Sequence, residues 1–517
     1  MPLRHPGHFG SLLIRSTATP SGRAPLTMTE CKEKVRYRIG WIIGSALTLS
    51  ACAAGPDYKA PQPATLGVPA TYYGQGNSAQ VDPADLASWW TRLNDPALNG
   101  LIEQAIASNL DIVQAQARLR QARESLRQAN ASFLPQVDGS GSAGRNYNSA
   151  GGGTRVVDGN VVSSGSGKWS GSYSLGANAS WQIDLFGELS RSAEAARADL
   201  AASGHDLANV RMTIIAELVT NYVQARQAQT QLRIARETQA MQQDNYNIAN
   251  WRLQAGLVSS LDEQQARAQL AQTNATIPQL EASLRGSLNR IAVLTGQAPG
   301  QATRMLETPA PIPAAPASIA TGIPADTLRQ RPDVRSAERA LAAATARIGV
   351  AQAQLYPSLG ITGNIGTNAT SVSNLFDLIT GGVFANVAQL IFDGGRLASQ
   401  VRSQKAATDA AFAAYKQSVL TALEDVENAM ASLTSSRRRA AEFRTAFEAS
   451  NNAAILARSQ YQAGLIDFQT LSTSETTLLN ARNSLAAAQA DEVLAIAQLY
   501  NALGGGWQNM ENRANEQ

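Results

Sequence analysis

Between Gly395 and Gly464 lie 68 consecutive residues with neither glycine nor proline, and no other feature of the chain restricts its shape so strongly. One helix of that length, at about 1.5 Å per residue, runs roughly 100 Å. A compact domain has no room for it. The span from Gly187 to Gly256 repeats the pattern with one interruption, Gly204. Both spans end in Ala-Gly-Leu, where glycine suits the left-handed conformation that closes a helix. A shorter return helix is expected after each turn, the first kinked at Pro278.

The two hairpins belong to a duplication. Residues 109–135 and 331–357 align without a gap at an offset of 222, pairing Asp111 with Asp333, Leu119 with Leu341 and Pro135 with Pro357. Glu217, Val219 and Asn221 recur as Glu424, Val426 and Asn428 at an offset of 207, and Gln254-Ala255-Gly256-Leu257 recurs as Gln462-Ala463-Gly464-Leu465 at 208. The first copy therefore holds a longer loop between Pro135 and Phe186. The expected organisation is a signal region over 1–51 and an N-terminal segment with a first helix over 52–108. A first repeat follows over 109–298, then a Pro-rich linker over 299–326, a second repeat over 327–503 and a polar tail over 504–517.

Each repeat also carries strands. From Tyr173 the odd positions are Tyr173, Leu175, Ala177, Ala179, Trp181, Ile183 and Leu185, and the even ones Ser174, Gly176, Asn178, Ser180, Gln182 and Asp184. Strict alternation of this kind fits a wall with lipid on one face and water on the other, although a soluble antiparallel sheet alternates too. Leu359, Ile361 and Ile365 alternate likewise with Ser358, Thr362 and Asn364; residues 137–143 do so more weakly, and 383–392 read as a strand apolar on both faces. Four strands cannot close a barrel, and open edges are not tolerated in lipid. Two copies would give eight strands with a filled interior; three give twelve and a lumen. The fold class expected is mainly α with a membrane β-barrel, four strands per chain forming a twelve-stranded trimeric barrel continued by a long α-helical barrel.

The N-terminus adds an anchor. Lys32, Lys34, Arg36 and Arg38 precede the apolar run Ile39 to Leu49, and Leu49-Ser50-Ala51-Cys52 has the form of a lipobox. Met28 is the expected working start, and Cys52 the expected site of a covalent lipid. Ala53 in place of Asp favours sorting to the outer membrane.

Composition excludes several function classes. The 43 Lys+Arg and 40 Asp+Glu leave a charge of +3, too balanced for a nucleic-acid partner. Only 16% of residues are charged and 6% aromatic, which suits thin, closely apposed helices better than thick cores. The two cysteines, Cys31 and Cys52, build no disulfide framework, and with only His5, His8 and His205 no histidine metal site or Ser-His-Asp set is expected. Gly139-x-Gly141-x-x-Gly144 fits a dinucleotide fingerprint by letter but lies in a strand and opens no helix. Arg437-Arg438-Arg439 is expected on a solvated helix face. Neither catalysis nor a metal or non-covalent cofactor is expected.

Five further stretches, taken in order, resemble one family. They are Cys52-Ala-Ala-Gly-Pro-Asp-Tyr58, Trp89-Trp90 with Asp95-Pro96, Asn109-Leu110-Asp111, Arg331-Pro332-Asp333-Val334, and Leu499-Tyr-Asn-Ala-Leu-Gly-Gly-Gly-Trp507. Together they resemble the outer-membrane efflux lipoproteins of the TolC/OprM type, NodT subfamily. The resemblance implies a homotrimer in outer-membrane lipid that extends into the periplasm, meets a periplasmic adaptor (membrane fusion protein) and serves an inner-membrane RND-type pump as a small-molecule duct. A coiled-coil adaptor or structural lipoprotein, and a type I protein-secretion duct, are the competing readings. The resemblance also implies that Gly256, Leu257, Val258, Gly464, Leu465 and Ile466 form adaptor-docking tips, and that Asp467, Gln469 and Thr473 line the channel constriction. The family commonly has acidic residues there, whereas Gln469 and Thr473 are neutral.

Overall fold

The computed structural model describes residues 53–69, 71–73, 86–148, 155–157, 160–162, 168–301, 306, 308–316 and 329–508. Cys52, the lipobox and the basic stretch before it lie outside the described residues, as do most of the linker and the end of the tail.

The first repeat comprises α1 (Pro96–Ser108), α2 (Leu110–Ala131), β1 (Gln136–Asn148), the short strands β2 (Arg155–Val157) and β3 (Asn160–Val162), β4 (Lys168–Ile183), α3 (Glu188–Gln254) and α4 (Ser260–Leu294). The second comprises α5 (Pro332–Ala353), β5 (Ser358–Ala369), β6 (Ile379–Ala388), α6 (Arg396–Gln462) and α7 (Phe468–Ala502). The duplication is metrically close: α2 and α5 have 22 residues, α3 and α6 have 67, and α4 and α7 have 35. Because α3 and α6 are equally long, the one-residue change of offset within them is not an insertion. The extra length of the first copy goes into β2–β3, a separate two-stranded ribbon.

Local chemistry sets the ends of the long helices. Before α3 the Asp184 carboxylate accepts from the Leu189 and Ser190 amides, and before α6 Asp393 accepts from Gly395 and Leu397. These bonds satisfy amides that a helix start leaves open. Gly187 and Gly395 turn the chain at φ 84° and 88°, values that a residue with a Cβ resists. α3 runs unbroken through Gly204, and α4 through Pro278, where a kink was expected. The equivalent of Pro278 in α7 is Ala486.

The main sheet has the order β1-β4-β5-β6, antiparallel throughout. β6 is Ile379–Ala388, not 383–392: the run 389–392 leaves the ladder, with Ile391 and Phe392 almost fully exposed. Apolarity on both sides there therefore reports an exposed segment leading into α6, not a doubly buried strand.

The largest core forms a belt around the middle of the helices, where the N-terminal segment, α1, α3, α4 and α7 meet. Trp89 stacks on Tyr500 at 5.2 Å, over Leu98, Ile102, Ile215, Ile291 and Ile496. Four of the five resembling stretches fall in this belt as caps and ties. Asp95 caps α1 and accepts from the Tyr222 hydroxyl, while Asn109 caps α2 and donates to the Leu294 carbonyl. Arg331, with a side chain only 6% exposed, donates two bonds to Asp333 and one each to Asp425 and the Ala502 carbonyl. The Trp507 indole donates to the Gln330 carbonyl beneath the Arg335 guanidinium. Arg437 and Arg439 are not simply solvated: they reach Glu492 and Asp491 on α7, and Arg437 also holds the Pro316 carbonyl.

Candidate functional site: the hairpin tips and the membrane sheet

Both hairpins reverse in a five-residue turn built the same way. At the first, Gly256 has φ 69°, Leu257 N–H donates to the Arg252 carbonyl and Gly256 N–H to Leu253. At the second, Gly464 has φ 73° and Leu465 N–H donates to the Gln460 carbonyl. This double closure consumes carbonyls that the helix end would leave open. Ser259 and Asp467 occupy equivalent positions and cap the return helices, Asp467 through the Thr470 amide at 2.8 Å. Those bonds hold the exposed Asp467 carboxyl below its ordinary value, so the one carboxylate in the second turn is engaged in capping. Leu257 and Leu465 are 74% and 75% exposed, apolar side chains standing at the very ends. Val258 and Ile466 are half-buried, Ile466 against the cluster described next.

The two tips are fastened to each other. Ala249, Ala266, Ala457, Tyr461, Phe468 and Leu471 form a small core between the hairpins, with the Arg252 guanidinium 4.6 Å from the Tyr461 ring. Above it, Glu475 on α7 accepts from Arg458 at 2.8 Å and from Asn245 of the first hairpin at 2.7 Å. Phe468, Leu471, Glu475 and Leu478 thus share the buried face of α7, and Gln469 and Thr473 the exposed one. The Thr473 hydroxyl donates to the Gln469 backbone carbonyl, a bond within the helix itself. Sequence reasoning missed Arg252, Asn245, Arg458, Tyr461 and Glu475. One signal was available: Glu475 interrupts an otherwise apolar stripe at helical spacing.

Burial pushes the Glu475 carboxyl above its ordinary value, although Arg458 and Asn245 pull the other way. Its pKa is therefore higher folded than unfolded. Its contribution favours the packed tips most below the unfolded value and is lost as pH rises through the folded one. Glu475→Gln should flatten this dependence, read as protection of α7 amides from hydrogen exchange between about pH 4 and 8. A variant profile superimposable on the parent would contradict the assignment.

The sheet presents two unlike faces. The register aligns Val137, Ala179 and Gly363, then Ala143, Tyr173 and Ala369, and Trp181 with Ile361 and Ala385. All odd positions share one face, which is apolar except at Arg145 and Thr367. The other face carries Ser140, Ser142, Ser174, Asn178, Gln182, Thr362, Asn364 and Asn386, with the single aromatic Phe384. Aromatic residues mark both ends of the apolar face. Tyr147 lies 5.0 Å from Trp169 at one end; at the other, the Trp181 indole donates to Phe133 and Phe186 stacks on Tyr356 just below the sheet. Among the described residues the outer edges of β1 and β6 pair with no further strand. Among the described residues no helix is long and apolar enough to cross a membrane, and no group of three or more His, Cys, Asp or Glu is placed to hold a metal ion.

At that lower end the N-terminal segment is clamped. Ala54 N–H donates to the Phe186 carbonyl, and Arg191 donates to the carbonyls of Ala54 and Gly55 and to Asp57. A Cβ on Gly55 would come within 2.4 Å of the Gly349 Cα, so the crossing with α5 requires glycine.

Comparison with known proteins agrees with this geometry. The family profile described as "Outer membrane efflux protein" matches residues 101–297 and 323–505. Nodulation protein T of Rhizobium leguminosarum bv. trifolii is 32% identical over 465 residues, covering 89% of this chain and 96% of its own. Pyoverdine export outer membrane protein OpmQ of Pseudomonas aeruginosa is 30% identical over 473 residues, covering 90% and 97%. Among solved structures, the outer-membrane channel OprN superposes with a TM-score of 0.78 at 33% identity, covering 88% of this chain and all of that one.

Proposed function

The chain belongs to the outer membrane efflux protein family as the outer-membrane channel of a tripartite efflux system, and on that premise we propose that three copies form one passive duct for small molecules. The observation that carries this reading is the four-stranded sheet. It has one apolar face, one polar face and two open edges, and it stands on hairpins of about 100 Å. In lipid the edges must be paired, and twelve strands from three chains pair them while leaving a lumen lined by the Ser, Thr and Asn face. Three double hairpins give six similar helical pairs around the axis, which continue the lumen through the periplasm.

In this reading the tips, with Gly256, Leu257, Val258, Gly464, Leu465 and Ile466, meet a periplasmic adaptor that links the duct to an inner-membrane RND-type pump. Exposed leucines on rigid turns suit an apolar groove in such a partner. Small molecules are the favoured cargo: the OpmQ relative is named for pyoverdine export. The pump selects among them, since polar walls around a wide lumen discriminate little.

Gln469 and Thr473 lie on the exposed face of α7 one turn apart. Three copies would set them in neutral rings about 6 Å apart along the axis, narrowing the duct by packing and hydrogen bonds. Asp467 stays ionised but its carboxylate is committed to the helix cap, and the rings of Gln469 and Thr473 offer no charge to divalent cations. Replacing Gln469 and Thr473 together with Ala should raise single-channel conductance in planar bilayers, and Thr473→Asp should introduce block by divalent cations. Unchanged conductance in the double variant would move the constriction elsewhere, first to Leu465 and Ile466.

Cys52 is the proposed lipid attachment site. The clamp on Ala54 and Gly55 supports it, because it brings the residues after Cys52 to the lower end of the membrane sheet. Diacylglyceryl plus an amide-linked chain would anchor the N-terminus firmly there. Cys52→Ser should abolish incorporation of labelled palmitate yet leave trimers intact, since the barrel spans the membrane on its own. Labelling that persists in the variant would refute the site.

A further inference from the structure

The apolar face of the sheet carries one charge among its described residues, Arg145. It lies opposite Gly171, over which the Tyr173 ring folds: a Cβ there would meet Tyr173 Cε2 at 2.9 Å and the Thr370 carbonyl at 2.8 Å. The Tyr173 ring and the Trp169 ring flank that glycine on the same face, and Tyr147 pairs with Trp169. The Arg145 guanidinium lies 5.3 Å from the Trp169 ring centre. The result is an aromatic patch of Tyr147, Trp169 and Tyr173, the last packed over Gly171, with one cation beside it.

Its height in the membrane follows from the register. Gly171 and Trp181 are ten residues apart on β4; at about 3.3 Å per residue and a strand tilt near 40°, that is roughly 25 Å along the membrane normal. An apolar band of a barrel wall is about 25 Å tall. Trp181 marks the periplasmic end, so Arg145 stands at the opposite, outer headgroup level. The strand that would close the barrel beside β1 brings Ile379, Gly381, Val383, Ala385 and Val387 to this face, and no carboxylate. A guanidinium there has a planar fork of donors suited to phosphate, and the tyrosine hydroxyls add further donors.

We propose that Arg145, with Tyr147, Trp169 and Tyr173 around Gly171, binds a phosphate of lipid A, the phosphorylated glycolipid of the outer leaflet, once per protomer. The rings pack on the sugar and acyl base while Arg145 takes the phosphate.

Native mass spectrometry of the detergent-purified trimer, titrated with bisphosphorylated lipid A, dephosphorylated lipid A and phosphatidylglycerol, tests this. The parent protein should bind bisphosphorylated lipid A about tenfold or more tightly than either other lipid. Arg145→Gln should bring all three to the same weak level, and Arg145→Lys should recover part of the preference. Equal parent binding with and without the phosphates would overturn the proposal, as would an unaltered preference in Arg145→Gln. Phosphatidylglycerol bound as tightly as lipid A would overturn the choice of the glycolipid. Should Arg145→Gln fail to give heat-resistant trimers, the comparison of lipids on the parent protein still decides.

Discussion

Arginine at position 175 should abolish heat-resistant trimers, whereas arginine at the adjacent position 174 should leave them. Leu175 is midway between Trp169 and Trp181 and faces out with Tyr173 and Ala177, while Ser174 faces the lumen and shares a hydrogen bond with Ser142. A cationic side chain at the membrane midplane costs about 2–4 kcal/mol per chain, incurred three times in a trimer. In the lumen the same charge stays hydrated. Ala179, on the same outward face, would be a weaker test, because it lies within two residues of Trp181, near the interface where the penalty is small. Equal trimer yields for Leu175→Arg and Ser174→Arg would mean that the two faces are not lipid and water.

Loss of Arg331 should loosen the belt. Its buried guanidinium ties the start of α5 to α6 through Asp425 and to the end of α7 through the Ala502 carbonyl. The Asp333 and Asp425 side chains are 29% and 46% exposed and would be hydrated in its absence. The cost, mainly the unpaired Ala502 carbonyl and the lost charge-assisted bonds, is about 1–3 kcal/mol. Arg331→Ala should therefore open the belt to protease well below the temperature at which the parent protein yields. Arg331→Lys should rescue little, because a single ammonium cannot reproduce the paired bonds to Asp333. Parent-like protease resistance in Arg331→Ala would show that Trp89, Tyr500 and their neighbours hold the belt alone.

Much of this architecture is legible in the residues because it depends on local rules. Freedom from glycine and proline permits the two 67-residue helices, and glycine supplies the left-handed turn at each tip. Two-residue alternation places Trp181 and Ile361 on one face before any pairing is known. Legibility stops where distant segments meet. Glu475 shows in the sequence only as a break in an apolar stripe, and its role appears when Asn245, 230 positions away, comes within hydrogen-bonding distance. Arg437 looks solvated until the linker carbonyl of Pro316 is brought to it. Residues 389–392 have the composition of a strand, yet the ladder ends at Ala388 and their apolar side chains stay exposed. The stretches that carry the family resemblance do not form the tips or the barrel lumen: Asp95, Asn109, Arg331 and Trp507 cap and tie the belt. The resemblance thus reports how the repeats are held together, while the proposed gate is written in unremarkable residues such as Gln469 and Thr473.

The central claim is that three chains make one conduit, and direct imaging of the protein extracted from outer membranes in detergent tests it. A helical hairpin of about 100 Å and a tilted sheet of roughly 40 Å together require a rod some 140 Å long. End-on views should show threefold symmetry around a central lumen. Single globular particles, or rods without a threefold axis, would contradict the claim.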